Sequence, residues 1–146
     1  MRTLLLLALA CLAATACGSD ESAAPTATTA GEPGGTSLTI TVDPGSDGEP
    51  QEYTLVCDPP GGDHPDPDAA CAALAEATAG ETGALDPVPP DLACTEIYGG
   101  DQTAVIEGML DGEPVRAELS RINGCEIARW DALQPVLVEP GGVEDI

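Results

Sequence analysis

Apolar and polar residues alternate along Leu38-Thr39-Ile40-Thr41-Val42, which predicts a strand with one buried face. Turn chemistry follows at Pro44-Gly45-Ser46-Asp47-Gly48, and Tyr53-Thr54-Leu55-Val56-Cys57 predicts a second strand, the hairpin partner of the first. Residues 58–65, Asp-Pro-Pro-Gly-Gly-Asp-His-Pro, read as an irregular loop. Asp66 then offers an N-cap, with Pro67 in the first helical position. Cys71, Leu74, Ala75 and Thr78 recur at i, i+3, i+4 and i+7, and Gly80 supplies a stop. A helix is therefore predicted over residues 67–79. The Pro- and Gly-rich residues 81–93 are expected to run over the surface. Strand-like runs at 102–110 and 115–119 flank Asp111-Gly112, a strong hairpin signal. Pro114 is tolerable near the start of an edge strand. A short helix over 125–130 and a last strand over 135–139 complete the prediction. Strands and helices in separate stretches make an antiparallel α+β domain.

The pattern changes character at the front of the chain. Met1-Arg2-Thr3 precedes an uncharged apolar stretch over residues 4–16. That is the form of a secretory leader and is shorter than the roughly 20 apolar residues of a spanning helix. It ends Ala14-Thr15-Ala16-Cys17-Gly18, which resembles a bacterial lipobox. The expectation is cleavage after residue 16 and a lipid on the Cys17 thiol, with an ordinary A-x-A cleavage site as the competing reading. Residues 17–36 are rich in Ala, Thr, Gly, Ser and Pro without hydrophobic periodicity, so they read as a flexible tether. The domain proper is expected over residues 37–146, outside the cell and held at its membrane.

Charge then excludes partners. The chain carries a net charge of −22, from 26 acidic residues against four arginines and no lysine. Such a surface repels phosphate backbones, which argues against nucleic acid, and it keeps an exported protein soluble. Aromatic residues are few: no Phe, and only Tyr53, Tyr98 and Trp130. A small core of aliphatic residues needs covalent help.

Cysteines can supply it. With Cys11 in the leader and Cys17 at the lipobox, Cys57, Cys71, Cys94 and Cys125 remain. Four cysteines allow three pairings, and the sequence alone does not choose among them. A sequential pairing closes two modest loops, each worth about 3–4 kcal/mol in the chain-entropy model. A zinc site is disfavoured, since no C-x-x-C pair exists and His64 is the single histidine.

Catalytic chemistry finds little support. His64 sits in a Pro/Asp loop without a nucleophile motif around it. The run Asp63-His64-Pro65-Asp66-Pro67-Asp68 lacks the full spacing and distal Glu of a calcium loop, so its acids are expected to cap the helix and face solvent. No cofactor, no metal and no enzymatic activity are expected.

Three stretches belong together. Cys57-Asp58-Pro59-Pro60-Gly61-Gly62-Asp63-His64-Pro65 leads toward Cys71. Cys94-Thr95-Glu96-Ile97-Tyr98 is expected on an exposed loop, and Arg121-Ile122-Asn123-Gly124-Cys125-Glu126 follows the second hairpin. They closely resemble the Streptomyces subtilisin inhibitor family, from residue 37 to about 129. The resemblance implies disulfides Cys57–Cys71 and Cys94–Cys125, a five-stranded antiparallel sheet with two helices, and a homodimer formed through the sheets. It further implies a reactive loop of Cys94, Thr95, Glu96, Ile97 and Tyr98, with the scissile bond between Glu96 and Ile97. Asn123 matches the side chain that supports this loop. Many members carry a large hydrophobic or basic residue where Glu96 stands. The implied partner is an extracellular serine protease: subtilisin-like, chymotrypsin-like or, given Glu96, glutamate-specific.

The physics of such a loop can be argued separately. A loop fixed at Cys94 loses little conformational entropy on docking, so more of the contact energy appears as affinity. If the bond is cut, the disulfide keeps the new amine beside the acyl-enzyme and resealing competes with hydrolysis. The alternative is an envelope lipoprotein that uses the same scaffold to bind a partner other than a protease.

Overall fold

The computed structural model describes residues 34–46 and 48–138. The leader, most of the tether and Cys17 lie outside the described residues, as does Glu139. Within them the chain forms strands β1 (Thr36–Asp43), β2 (Gln51–Cys57) and β3 (Gly61–Gly62), helix α1 (Pro67–Ala77), strands β4 (Thr103–Leu110) and β5 (Glu113–Ser120), and helix α2 (Gly124–Ala132). The five strands make one antiparallel sheet in the order β3-β2-β1-β4-β5.

Alternation fixes the sheet's faces. Leu38, Ile40 and Val42 of β1 point into the core with Leu55, Ala104, Ile106, Ala117 and Leu119 from the neighbouring strands. Helix α1 packs on β2 and α2 on β5, so that Leu74, Trp130 and Leu133 close the inner face. Glu52, Glu107, Arg116 and Glu118 lie on the outer face, as their register with Thr39 and Thr41 of β1 requires. Both sequential disulfides form: Cys57–Cys71 joins β2 to α1, and Cys94–Cys125 joins the long loop to α2.

The sequence expectations need four corrections. A fifth strand does form, but it is Gly61–Gly62, within the stretch read as irregular, pairing with Leu55 and Val56. Residues 135–138 are not a strand. Val136 and Leu137 are both fully buried, whereas neighbours on a strand point to opposite faces. Bonds from Val136 N–H and Leu137 N–H to the Leu133 carbonyl, at 2.8 and 3.0 Å, wind this segment into turns after α2. Helix α1 stops at Ala77, with Thr78 as its C-cap, and its inward stripe is Ala70, Ala73, Leu74 and Ala77. Of the predicted face, Ala75 is exposed and Cys71 only half-buried. Helix α2 is longer than residues 125–130, beginning at Gly124 and ending at Ala132.

The acids of residues 63–68 have structural employment. Asp66 Oδ1 accepts from the Ala69 N–H at 3.1 Å and caps α1. Asp63 Oδ1 accepts from the backbone N–H and the hydroxyl of Thr54, joining the β3 turn to β2. His64 is buried, its Nδ1 accepting from the Asp66 N–H at 3.1 Å and its Nε2 lying 3.1 Å from the Val136 carbonyl. With Nδ1 an acceptor, the proton sits on Nε2 and is donated to that carbonyl. The ring thus ties the C-terminal turns to the start of α1.

Candidate functional site

Residues 94–98 join no helix or strand. After the turns around residues 81–92 the chain crosses the molecule's end as an irregular segment and enters β4 at Thr103. Thr95, Glu96, Ile97 and Tyr98 are all exposed, and Cys94 is half-buried. Ile97 is 59% and Tyr98 65% exposed, large values for side chains that ordinarily seek a core.

The segment is nonetheless fastened at both ends. Cys94 is bonded to Cys125 in the first turn of α2. One residue further, the Thr95 carbonyl accepts from the Gly124 N–H at 2.9 Å. Beyond the exposed residues, the Gly99 N–H donates to the Arg121 carbonyl at 2.7 Å. The pairs 94–125, 95–124 and 99–121 run in opposite directions, so residues 121–125 lie antiparallel beneath the loop. Glu96, Ile97 and Tyr98 form the unpinned crest between those fixed points.

Packing makes the second fixed point rigid. Gly99 sits so close to Ile127 and Arg121 that a Cβ there would meet Ile127 Cδ1 at 2.9 Å and Arg121 Cβ at 3.3 Å. The next residue, Gly100, has φ +134, a backbone region that side chains disfavour. Arg121 in turn lays its guanidinium 5.9 Å from the centre of the buried Trp130 ring. The loop's underside is thereby tied to the hydrophobic core.

Asn123 is placed at the N-terminus of α2, where its Oδ1 accepts from the Glu126 N–H at 3.0 Å. Its side chain caps the helix that carries Cys125, and the two bonds to the loop's backbone come from Arg121 and Gly124. Glu126, the next acid, pairs with Arg129 at 2.7 Å within α2. Sequence reading thus gave roles to Asn123 and the two cysteines but none to Arg121, Gly124 or Ile127. The signal was available: once Cys94 pairs with Cys125, counting inward in an antiparallel register brings 95 to 124 and 99 to 120, one residue from the observed Arg121.

Chemically the site offers an exposed irregular segment, residues 96–98 lying outside the backbone bonds that fasten it, with covalent closure at its base. No cluster of three or more His, Cys, Asp and Glu side chains fit to hold a metal occurs among the described residues.

A family model for subtilisin inhibitor-like proteins matches residues 34–123. Subtilisin inhibitor-like protein 1 of Streptomyces cacaoi is 40% identical over 81 residues, covering 54% of this chain and 72% of that protein. Subtilisin inhibitor-like protein 5 of Streptomyces fradiae is 43% identical over 75 residues, 51% of this chain and 67% of that one. Among solved structures, Streptomyces caespitosus sermetstatin in complex with Bacillus licheniformis subtilisin is 29% identical. It aligns with a TM-score of 0.47, over 73% of this chain and 100% of that one.

Proposed function

The chain belongs to the subtilisin inhibitor-like family, and from that premise we propose that it inhibits an extracellular serine protease by presenting residues 94–98 as a substrate. It is a protease inhibitor and not an enzyme. Glu96 enters the primary specificity pocket, and the bond between Glu96 and Ile97 is the one attacked. The observation that carries the reading is the exposure of Thr95, Glu96, Ile97 and Tyr98 between two fastened ends.

The arrangement favours slow turnover. A crest held at Thr95 and Gly99 gives up little freedom on binding, and its backbone is available to pair with an enzyme strand as a substrate's does. After cleavage the Cys94–Cys125 bond keeps both halves in one molecule. The new amine of Ile97 then stays near the acyl group of Glu96, so resealing competes with water.

Glu96 sets the target class. An apolar pocket would strip water from its carboxylate without providing a counter-charge, a large cost. A pocket built for glutamate supplies that charge. The experiment is inhibition of a panel containing subtilisin, chymotrypsin and a glutamate-specific serine protease. Wild type is expected to act on the glutamate-specific enzyme, and Glu96→Met to shift inhibition toward subtilisin. Inhibition by neither form, with both disulfides intact, leaves a scaffold that binds some other partner.

The leader and Cys17 extend the proposal. The protein is exported, acylated on Cys17 and held by residues 17–36 at the outer face of the membrane, where two disulfides survive. Incorporation of labelled fatty acid into wild type but not Cys17→Ser is the expected result, and an unlabelled wild type removes the anchor. A homodimer through the outer sheet face belongs to the same reading. Because Glu52, Glu107 and Glu118 lie on that face, two copies packed through it would repel, and the dimer should tighten as salt screens the charges.

A further inference from the structure

Beyond its crest the loop leaves through two consecutive glycines, Gly99 and Gly100, and enters β4 at Thr103. Paired glycines give a backbone freedom to swing. Here they are bracketed. Before them the Gly99 N–H is bonded to the Arg121 carbonyl. After them stands Asp101, whose Oδ2 accepts from the Ser46 N–H at 3.1 Å and from the Ser46 hydroxyl at 2.5 Å. The hydroxyl first, and then the N–H, hold the Asp101 carboxyl below its ordinary 3.8, so the acceptor is a carboxylate at neutral pH.

The turn after β1 is shaped to receive that carboxylate. Asp43 Oδ1 accepts from the Gly45 N–H at 2.9 Å, which folds the chain back at the end of β1. Gly45 takes φ +89, and a Cβ there would meet Asp101 Oδ1 at 2.3 Å. Only a residue without a Cβ lets the carboxylate lie so close. The sheet does not need this contact, because β1 and β4 already pair as far as Asp43 and Thr103. Nor does the core, since Ser46 and Asp101 are both exposed. What the contact fixes is the path of the chain between Gly99 and β4.

We propose that Asp101 is a positioning residue for inhibition, a latch that fastens the exit of the loop to the β1–β2 turn. This rests on the reading of residues 94–98 as the reactive loop. The disulfide holds Cys94, on the acyl side of the attacked bond. On the amine side, the stretch from Ile97 to β4 is fastened through the Gly99–Arg121 and Asp101–Ser46 bonds. Without the latch, Gly100 lets that stretch swing after a cut, so the cut form gains more conformational freedom than the intact one. The latch therefore favours the intact inhibitor. It also keeps the amine of Ile97 beside the acyl group of Glu96 and slows loss of the complex.

The test uses the full chain with Asp101→Ala, Asp101→Asn and Ser46→Ala, read against the glutamate-specific serine protease. For each, the inhibition constant, the ratio of cut to intact chain at equilibrium and the thermal midpoint are measured. Asp101→Ala is expected to raise the inhibition constant about fivefold or more and to shift the ratio toward cut chain, with the midpoint unchanged. Asp101→Asn keeps an oxygen that accepts from both Ser46 groups and should recover most of the loss. Ser46→Ala should show part of the loss, and none further when added to Asp101→Ala, because both break one contact. If Asp101→Ala lowers the midpoint, Ser46→Ala, which keeps the backbone bond, decides by the same ratio. An unchanged inhibition constant and ratio, with wild type still cut after Glu96, overturn the latch and leave the loop standing. Asp101→Asn as weak as Asp101→Ala equally overturns it, since the lost charge rather than the bond to Ser46 then carries the effect. A wild type that neither inhibits nor is cut there removes the loop reading and the latch with it.

Discussion

Gly124 donates its N–H to the Thr95 carbonyl at 2.9 Å, directly beside the disulfide that joins their neighbours Cys94 and Cys125. The two links act as consecutive rungs. A disulfide alone would leave the chain free to swivel about the sulfur atoms, and the added hydrogen bond fixes which way the next residues point. A Cβ on Gly124 would lie 2.0 Å from Thr95 Oγ1. Gly124→Ala should therefore push Thr95 outward while improving helix propensity by up to about 1 kcal/mol. The expected outcome is inhibition weakened about tenfold with a thermal midpoint that does not fall. Inhibition assays alongside calorimetry separate the two effects.

Removing the second disulfide should turn an inhibitor into a substrate. Cys94 and Cys125 are 31 residues apart, and the chain-entropy model makes that closure worth about 4 kcal/mol of stability. In Cys94→Ser with Cys125→Ser, cleavage would release two unlinked pieces. Inhibition should then fade within the assay as the protein is consumed. Persistent inhibition by this variant would show that the hydrogen bonds alone hold the loop.

Asn123 is testable by two replacements. Asn123→Ala loses the N-cap of α2 and should cost about 1 kcal/mol, and it loosens the helix end that bears Cys125. Asn123→Asp keeps an acceptor for the Glu126 N–H and should restore stability. If capping is the whole route by which Asn123 supports the loop, Asp restores inhibition as well. Restored stability with inhibition still weak would instead place the Asn side chain on the loop itself.

Much of this architecture was legible in the chain. The period-2 run of β1, the cap at Asp66-Pro67 and the Asp111-Gly112 hairpin turn each carry a local signal that tertiary packing does not override. Other features lacked one. Helix α1 is so rich in alanine that nearly every stripe looks small and apolar. The choice between Ala70-Leu74 and Cys71-Ala75 therefore falls to packing against β2. Strand β3 has two residues, both glycine, too short for any periodicity. Gly62 has φ +101, and a Cβ there would meet the Thr54 carbonyl oxygen at 2.2 Å, so the glycine is required by close approach to β2. The apolar run at 135–138 suits a strand or a helical turn equally, and burial of adjacent Val136 and Leu137 chooses the turn. At the site, the family resemblance implied the disulfide frame that forms, but the exposure of Ile97, Tyr98 and Ile122 depends on the folded surface.

Acid should weaken the β3 turn through Asp63. Its carboxyl is held below the ordinary value of 3.8, chiefly by the Thr54 backbone N–H and then by the Thr54 hydroxyl. A carboxyl whose folded pKa is depressed contributes stability above its unfolded pKa and loses it as pH falls through the folded one. Asp63→Asn should be less stable than wild type at pH 7. The gap should narrow below about pH 4, as the wild-type carboxyl takes up its proton. Urea midpoints for both proteins across pH 2–7 check it. A gap independent of pH would remove the role assigned to the charge.

The central claim is that residues 96 and 97 flank the bond a serine protease attacks. Incubation with a stoichiometric amount of the inhibited enzyme, followed by mass spectrometry before and after reduction, reads this directly. The account predicts one cut after Glu96, two pieces held together until Cys94–Cys125 is reduced, and Ile97 as the new N-terminus. A cut elsewhere in an inhibitory complex, or strong inhibition blocked by changes far from residues 94–98 while Glu96→Pro has no effect, would contradict it.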